Sequence, residues 1–277
     1  MRWSDPQPDS RFCDVGELRL HFKRQGRGPT VLLLHGSGAS LHQLSAVATR
    51  LESAFDVVRV DLPGFGLTGP RPDGDYRAPT YAATLADMLD VLGLGPVLVV
   101  GSSLGGQIAW TLALDHPERV RGLVLINATG YPAKSLPGGV KLARGRWTGP
   151  LLRRWMPRFV VARNLRSAVG PMSTNVDEAR IDRAYELLNR PGNRAAFVDV
   201  VGTLQPDRTA ELHRIAAPTL VLRSASIDGQ HFVRDIPGTV ERVHPHGGHL
   251  LPEEDPAWVA EAIENFASGL DAAKGEP

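Results

Sequence analysis

The sequence predicts an α/β fold, a mostly parallel sheet flanked by helices, with a helical segment inserted before the sheet is complete. Three observations lead there. Short apolar, β-branched runs alternate with helix-like segments through the first half of the chain. One of those runs ends in a Gly-x-Ser-x-Gly turn that leads straight into a helix. Between about Tyr131 and His213 the strand-like runs stop and helical segments replace them.

In chain order, Phe12 to Val15 and Leu18 to Lys23, joined at Gly16-Glu17, read as an opening hairpin. Val31 to Leu34, Val57 to Val60, Val97 to Val100 and Leu123 to Ile126 read as buried parallel strands. Tyr81 to Leu92 and Leu104 to Leu114 read as the crossover helices between them. The segments Leu151 to Met156, Val160 to Ala168, Asp177 to Leu188 and Ala195 to Leu204 form the helical insert. Prolines 132, 137, 150, 157, 171 and 191 punctuate it. Pro218 to Leu222 and Val240 to Val243 return to strand, and Ala257 to Phe266 to helix after Pro256. Asp271 to Pro277 read as a frayed tail.

Composition sets bounds on function. A chain of 277 residues, 42% hydrophobic, can bury one large core or a core with an insert. A net charge of +1 gives no support to nucleic-acid binding. Cys13 is the only cysteine, so no intrachain disulfide forms and no oxidising compartment is required. The start, Met1-Arg2-Trp3-Ser4-Asp5-Pro6, lacks a signal-peptide apolar region, and no run approaches the roughly 18 residues of a membrane span. The expectation is a cytoplasmic enzyme without membrane association. No metal-ligand spacing and no Gly-x-Gly-x-x-Gly loop is present, so no metal or cofactor is expected.

The chemistry concentrates in three stretches. In Val97-Leu98-Val99-Val100-Gly101-Ser102-Ser103-Leu104-Gly105-Gly106, strand, sharp turn and helix follow one another. Glycines two before and two after Ser103 leave room for a strained backbone that lifts the hydroxyl clear of the sheet edge. The second stretch, Val31-Leu32-Leu33-Leu34-His35-Gly36-Ser37-Gly38, is another strand ending in a His-Gly turn. Acyl transfer builds negative charge on a carbonyl oxygen, and backbone N–H groups are the usual stabilisers. The expected pair is Leu104, next after the serine, and Ser37, with Gly36 and Gly38 as alternatives. His35 directly follows its strand and is expected to pack beneath the loop. The third stretch is Pro245-His246-Gly247-Gly248-His249-Leu250-Leu251-Pro252-Glu253-Glu254-Asp255-Pro256. His249 is the expected base, because the adjacent glycines let its ring reach across to the serine. His244 and His246 are its rivals.

With these three motifs, and with Asp61-Leu62-Pro63-Gly64-Phe65-Gly66 and His116-Pro117-Glu118-Arg119-Val120 besides, the chain resembles the α/β-hydrolase family from about Phe12 to Phe266. The resemblance implies an eight-stranded sheet. It divides the chain into a core, residues 1–130 and 214–277, and a helical cap, residues 131–213, that covers a nucleophilic serine. It also implies an acid after the strand that follows the cap. There this sequence departs from the family, reading Arg223-Ser224-Ala225-Ser226-Ile227-Asp228-Gly229-Gln230 where members carry a Trp-Gly pair and then the acid. Asp228 is the nearest carboxylate, about one position late, and is the expected third member of the triad. Asp235 is a weaker candidate, and Asn127 could hold the imidazole without charge.

The insert is basic. Lys134, Lys141, Arg153, Arg154, Arg158, Arg180 and Arg183, with other arginines, outnumber Asp177, Glu178, Asp182 and Glu186. This surface either steers an anionic substrate or is simply solvated. Trp147, Trp155, Met156 and Phe159 are expected to line the pocket or to form the insert's own core. The expected activity is a serine carboxylesterase, acting on an ester or thioester of a small molecule through an acyl-enzyme. Carbon–carbon hydrolysis of a diketone ring-fission product is an alternative. His35-Gly36-Ser37-Gly38-Ala39-Ser40 resembles that subfamily, whose members often carry Trp where this chain has Leu250 and Asn where it has Ser102. A cyclase or ligand-binding module with an incomplete triad is the other. The sequence leaves the oligomeric state open.

Overall fold

The computed structural model describes residues 2–132, 143–170, 173 and 176–272. Eight strands form one sheet: β1 (Arg11–Val15), β2 (Leu18–Gly26), β3 (Thr30–Leu34), β4 (Asp56–Val60), β5 (Val97–Ser102), β6 (Val120–Ile126), β7 (Thr219–Ser224) and β8 (Val240–His244). Their order is β1-β2-β4-β3-β5-β6-β7-β8. The β1–β2 and β2–β4 pairs are antiparallel, and every later pair is parallel.

The runs Val31–Leu34 of β3, Val97–Val100 of β5 and Leu123–Ile126 of β6 are apolar and buried at every position because both faces of the sheet are covered there. Side chains alternate across a strand. Leu32 and Leu34 of β3, Val97 and Val99 of β5 and Leu123 and Leu125 of β6 enter one core. The intervening Val31, Leu33, Leu98, Val100, Val124 and Ile126 enter the other. Helices α2 (Ala78–Val91) and α3 (Leu104–Asp115) close the first face with Tyr81, Leu85, Ile108 and Leu112. Helices α1 (Ser45–Leu51) and α10 (Pro256–Ala272) close the second with Val47, Leu51, Val259 and Ile263. Helix α10 continues through Ala272, past the Asp271 at which a fray was expected to start; residues 273–277 lie outside the described residues.

Among the described residues, four α-helices are defined between β6 and β7: α4 (Thr148–Arg154), α5 (Arg158–Ala168), α6 (Glu178–Leu188) and α7 (Asn193–Gly202). Helix α4 packs on α7, and α5 on α6. Much of the insert's charge is paired internally. Arg158 bonds Glu178 and Asp182, Arg166 bonds Glu178, and Arg153 bonds Asp199. Lys134 and Lys141 lie outside the described residues. Met156 is buried, whereas Trp147, Trp155 and Phe159 are 82%, 58% and 68% exposed and line neither the pocket nor a core. Two short helices follow β7 and β8: α8 (Phe232–Asp235) and α9 (Leu251–Glu254). Among the described residues no helix is long and apolar enough to cross a membrane.

Chain order sets where a ligand can bind. From β3 the chain moves outward to β4, then returns to place β5 on the other side of β3. The loops after β3 and β5 therefore diverge and leave a crevice at the carboxyl ends of the strands. Ser37 follows β3 and Ser103 follows β5, so both motifs open into that crevice.

Candidate active site

Ser103 holds φ 54° and ψ −114°, a region that L residues seldom occupy. The surrounding backbone enforces it. The Ser103 N–H donates to the Ile126 carbonyl at 3.0 Å, and its carbonyl accepts the N–H groups of Gln107 and Thr129 at 3.1 Å each. Helix α3 starts so close to the sheet that a Cβ on Gly101 would lie 2.2 Å from the Gly105 oxygen, and one on Gly105 2.3 Å from the Leu34 oxygen. That approach is why the motif needs glycine at both positions.

The turn brings the Ser103 Oγ to 2.9 Å from Nε2 of His249. These two residues, 146 apart in sequence, are brought together as the sequence reading expects. The rival histidines face elsewhere. Nε2 of His244 is 3.3 Å from Asp255, and the His244 Nδ1 accepts the His246 N–H.

The two residues whose amides are expected to hold an oxyanion lie beside Ser103. Ser37 and Leu104 both border the cavity that holds Ser103. Among the described residues, neither N–H donates to a protein acceptor. Gly36 is not equivalent, since its N–H donates to Gln43 Oε1 at 2.8 Å. His35 is fully buried, with Nδ1 donating to the Gly36 carbonyl and Nε2 accepting the Leu62 N–H. One ring nitrogen donates and the other accepts, so the ring is neutral. Burial pushes its pKa down, against the pull of Asp61. It braces the loop after β3 against the Asp61 loop.

Asp228 is not brought to this pair. Strand β7 ends at Ser224, and a tight turn follows in which the Ile227 N–H donates to the Ser224 carbonyl and the Ala225 N–H to the His244 carbonyl. That turn carries Asp228 outward, where it is exposed beside Arg223, Gln230 and Val233. The helix after it, α8, is four residues long. Asp235 is engaged by the Tyr131 hydroxyl at 2.7 Å and by Arg234.

Asn127 occupies the ground between β6, β7 and the His249 loop. It is fully buried, with φ 44°. Its Oδ1 accepts the Ser224 N–H at 2.9 Å, and its Nδ2 donates to Ser224 Oγ and to the Gly248 carbonyl at 3.1 Å each. Ser224 Oγ donates to the same carbonyl at 2.7 Å. A polar knot thus fixes the backbone just before His249.

Two hollows meet at Ser103 and Ser37. The smaller, about 90 Å³, runs past His249 and Leu250 to Asn164, Arg180, Arg183 and Glu253. The larger, about 530 Å³, runs past Leu104 and Gln107 to Tyr131, Val200, Val201 and Leu204. In the smaller one Glu253 pairs with Arg180 and stands 3.8 Å from Arg183. Burial pushes the Glu253 carboxyl up to about 7, against the pull of both arginines. The sequence reading missed Glu253, although it lies in the stretch that contains His249. Arg180 sits 73 positions away, and only the tertiary fold brings the two side chains together.

The segment before β1 packs behind Arg183. The Arg183 guanidinium lies over the Trp3 ring, 5.3 Å from its centre, and the Trp3 ring meets the His42 ring edge-on at 5.1 Å. Ser4 donates to Glu186 of α6 through both its N–H and its hydroxyl.

The chain belongs to the α/β-hydrolase family: residues 29–169 match the family described as alpha/beta hydrolase fold. Among its relatives is a 2-hydroxy-6-oxononadienedioate/2-hydroxy-6-oxononatrienedioate hydrolase of Burkholderia vietnamiensis, 33% identical over 76% of this chain and 75% of that protein. Solved structures agree. A thermophilic esterase from Thermogutta terrifontis superposes with a TM-score of 0.78 at 28% identity, covering 94% of this chain and 98% of that one. Cfl2 from Burkholderia cenocepacia superposes with a TM-score of 0.81 at 25% identity, with the same coverage.

Proposed function

We propose that the protein is a serine hydrolase that cleaves a carboxylic ester or thioester through an acyl-enzyme. The observation that carries this is the 2.9 Å approach of His249 Nε2 to the Ser103 Oγ, at the junction of two cavities. His249 takes the serine proton as Ser103 attacks the carbonyl. The Ser37 and Leu104 amides hold the oxyanion. His249 then protonates the leaving group and afterwards activates water, which releases the acid and frees the serine.

The two hollows divide the substrate. The leaving group must lie on the His249 side, where it can be protonated, so it faces Arg180, Arg183 and Glu253. The acyl group faces Val200, Val201 and Leu204. Two arginines against one carboxylate favour an anionic leaving group. The helices of residues 131–213 act as the cap over this junction, and the similarity to the Thermogutta esterase supports the ester reading.

A second reading, carbon–carbon hydrolysis of a ring-fission diketone, draws on the same arginines and on the relative named as a dienedioate hydrolase. An active-site fluorophosphonate tests the first step. Labelling that maps to Ser103 is expected, and absence of labelling would favour a binding module. A panel of p-nitrophenyl esters of graded acyl length, run beside a vinylogous 1,5-diketone acid, separates the hydrolases. Faster turnover of the diketone than of every ester would replace the ester reading.

A further inference from the structure

The loop that bears His249 is held from outside the sheet as well as from within it. Glu254, in α9, turns its carboxylate back onto that loop. Its Oε1 accepts the N–H groups of Gly248 and Leu250 at 3.1 Å each, on either side of His249. Its Oε2 accepts the Gly170 N–H of the helical insert at 2.7 Å. The His249 N–H itself donates to the Ala168 carbonyl at 2.7 Å. Ala168 is the last residue of α5, where a helix leaves carbonyls without partners inside it.

The contact is also close in space. A Cβ on Gly170 would lie 2.3 Å from the His246 oxygen and 2.9 Å from the Gly248 nitrogen. One on Gly248 would lie 2.2 Å from the Gly170 nitrogen. The two backbones therefore touch, and one carboxylate ties them together. The neighbouring Glu253 makes a second tie from α9, to Arg180 of α6.

We propose that Glu254 is a positioning residue for His249, and that it couples the base to the insert, so that His249 is aligned on Ser103 only while Ala168–Gly170 is docked on its loop. The proposal rests on the reading of His249 as the base. Hydrogen bonds to an ionised carboxylate are the stronger kind, and three converge here. A shift of about 1 Å in a catalytic group can cost about a hundredfold in rate. The insert would then do more than wall the pocket: its displacement would move the imidazole.

The test combines Glu254→Ala, Glu254→Gln and Gly170→Ala in the full chain. Glu254→Ala is expected to lower kcat on p-nitrophenyl acetate by about a hundredfold, with KM changed less than about twofold. Glu254→Gln should recover part of the loss, since its oxygen still accepts while its NH₂ group opposes the remaining N–H donors. Gly170→Ala, which pushes the insert off the loop, should lower kcat about tenfold or more. The double variant should lose less than the product of the two, because both act on one loop. Fully independent losses would overturn the coupling. Crystals of Glu254→Ala decide the positioning whatever the activity. A Ser103–His249 distance lengthened beyond hydrogen bonding supports the proposal, and an unchanged distance overturns it. Fluorophosphonate labelling of the unaltered protein reports separately on the hydrolase reading, so the two can fail independently.

Discussion

Ser103 and Asn127 are neighbours at the ends of β5 and β6, and both turn into the left-handed region, at φ 54° and φ 44°. Among the described residues no other non-glycine side chain does so. The bond from the Ser103 N–H to the Ile126 carbonyl joins the two turns. One turn presents the hydroxyl; the other fixes the loop that delivers the imidazole.

Replacing Ser103 by Ala removes the attacking oxygen and leaves these backbone bonds in place. Ester turnover should fall by at least about a thousandfold. The melting temperature should move by less than about 3 °C. Retained turnover in cleanly purified Ser103→Ala would refute the nucleophile.

His249→Ala should cost about as much as Ser103→Ala, and the double variant little more, because the pair acts as a unit. His244→Ala and His246→Ala should keep turnover within about threefold, since neither ring reaches Ser103. A dead His246→Ala enzyme would move the base assignment.

Asp228→Asn tests the departure from the expected triad. The side chain is exposed beyond the turn after β7, so kcat should stay within about threefold of the unaltered protein. Asn127→Ala should be far more damaging, because it strips partners from Ser224 and Gly248 at buried positions. A destabilisation of about 2–4 kcal/mol, read by urea unfolding, is expected. The reverse ranking of the two variants would restore Asp228 as the acid.

Much of this architecture can be read from residue order, and the reasons are local. Strands such as Val31 to Leu34 are buried on both faces, and that burial writes itself into continuous apolar runs. The elbow at Ser103 and the Gly-Gly before His249 are likewise short-range signals. The fate of Asp228 is not, because its direction depends on how the turn after β7 bonds to His244 across the sheet edge. Glu254 and Glu253 were in plain view beside His249. Their partners, Gly170 and Arg180, are 84 and 73 positions away on elements whose docking no local pattern specifies.

The Glu253 carboxyl, raised by burial to about 7, makes the pocket charge depend on pH. As pH falls through 7, Glu253 gains a proton and Arg180 and Arg183 face the cavity with less opposing charge. KM for an ester with an anionic leaving group should therefore fall toward pH 6, while KM for a neutral ester should not. Steady-state kinetics with the two esters between pH 6 and 8 checks this, and Glu253→Gln should abolish the difference. The same shift makes Glu253 a stabilising contributor below its unfolded value of about 4.5, lost progressively as pH rises toward 7.

Asp61 behaves in the opposite sense. Burial would raise its carboxyl, but the His21 imidazole, together with the Leu41 and Leu67 N–H groups, brings it down to about 2. Its contribution is present above the unfolded value near 3.9 and is lost as pH falls toward 2. Asp61→Ala leaves three buried donors without an acceptor and should destabilise by about 3–5 kcal/mol in urea unfolding. A loss below about 1 kcal/mol would contradict the role assigned to it.

Trp3 lies between the His42 ring and the Arg183 guanidinium of α6, with Ser4 fastened to Glu186. The residues ahead of the first strand therefore back the arginine that lines the smaller cavity. A fusion partner or purification handle attached at that end would tug on the same arginine that shares a cavity with Ser103. Kinetic constants from such a fusion would describe an altered enzyme.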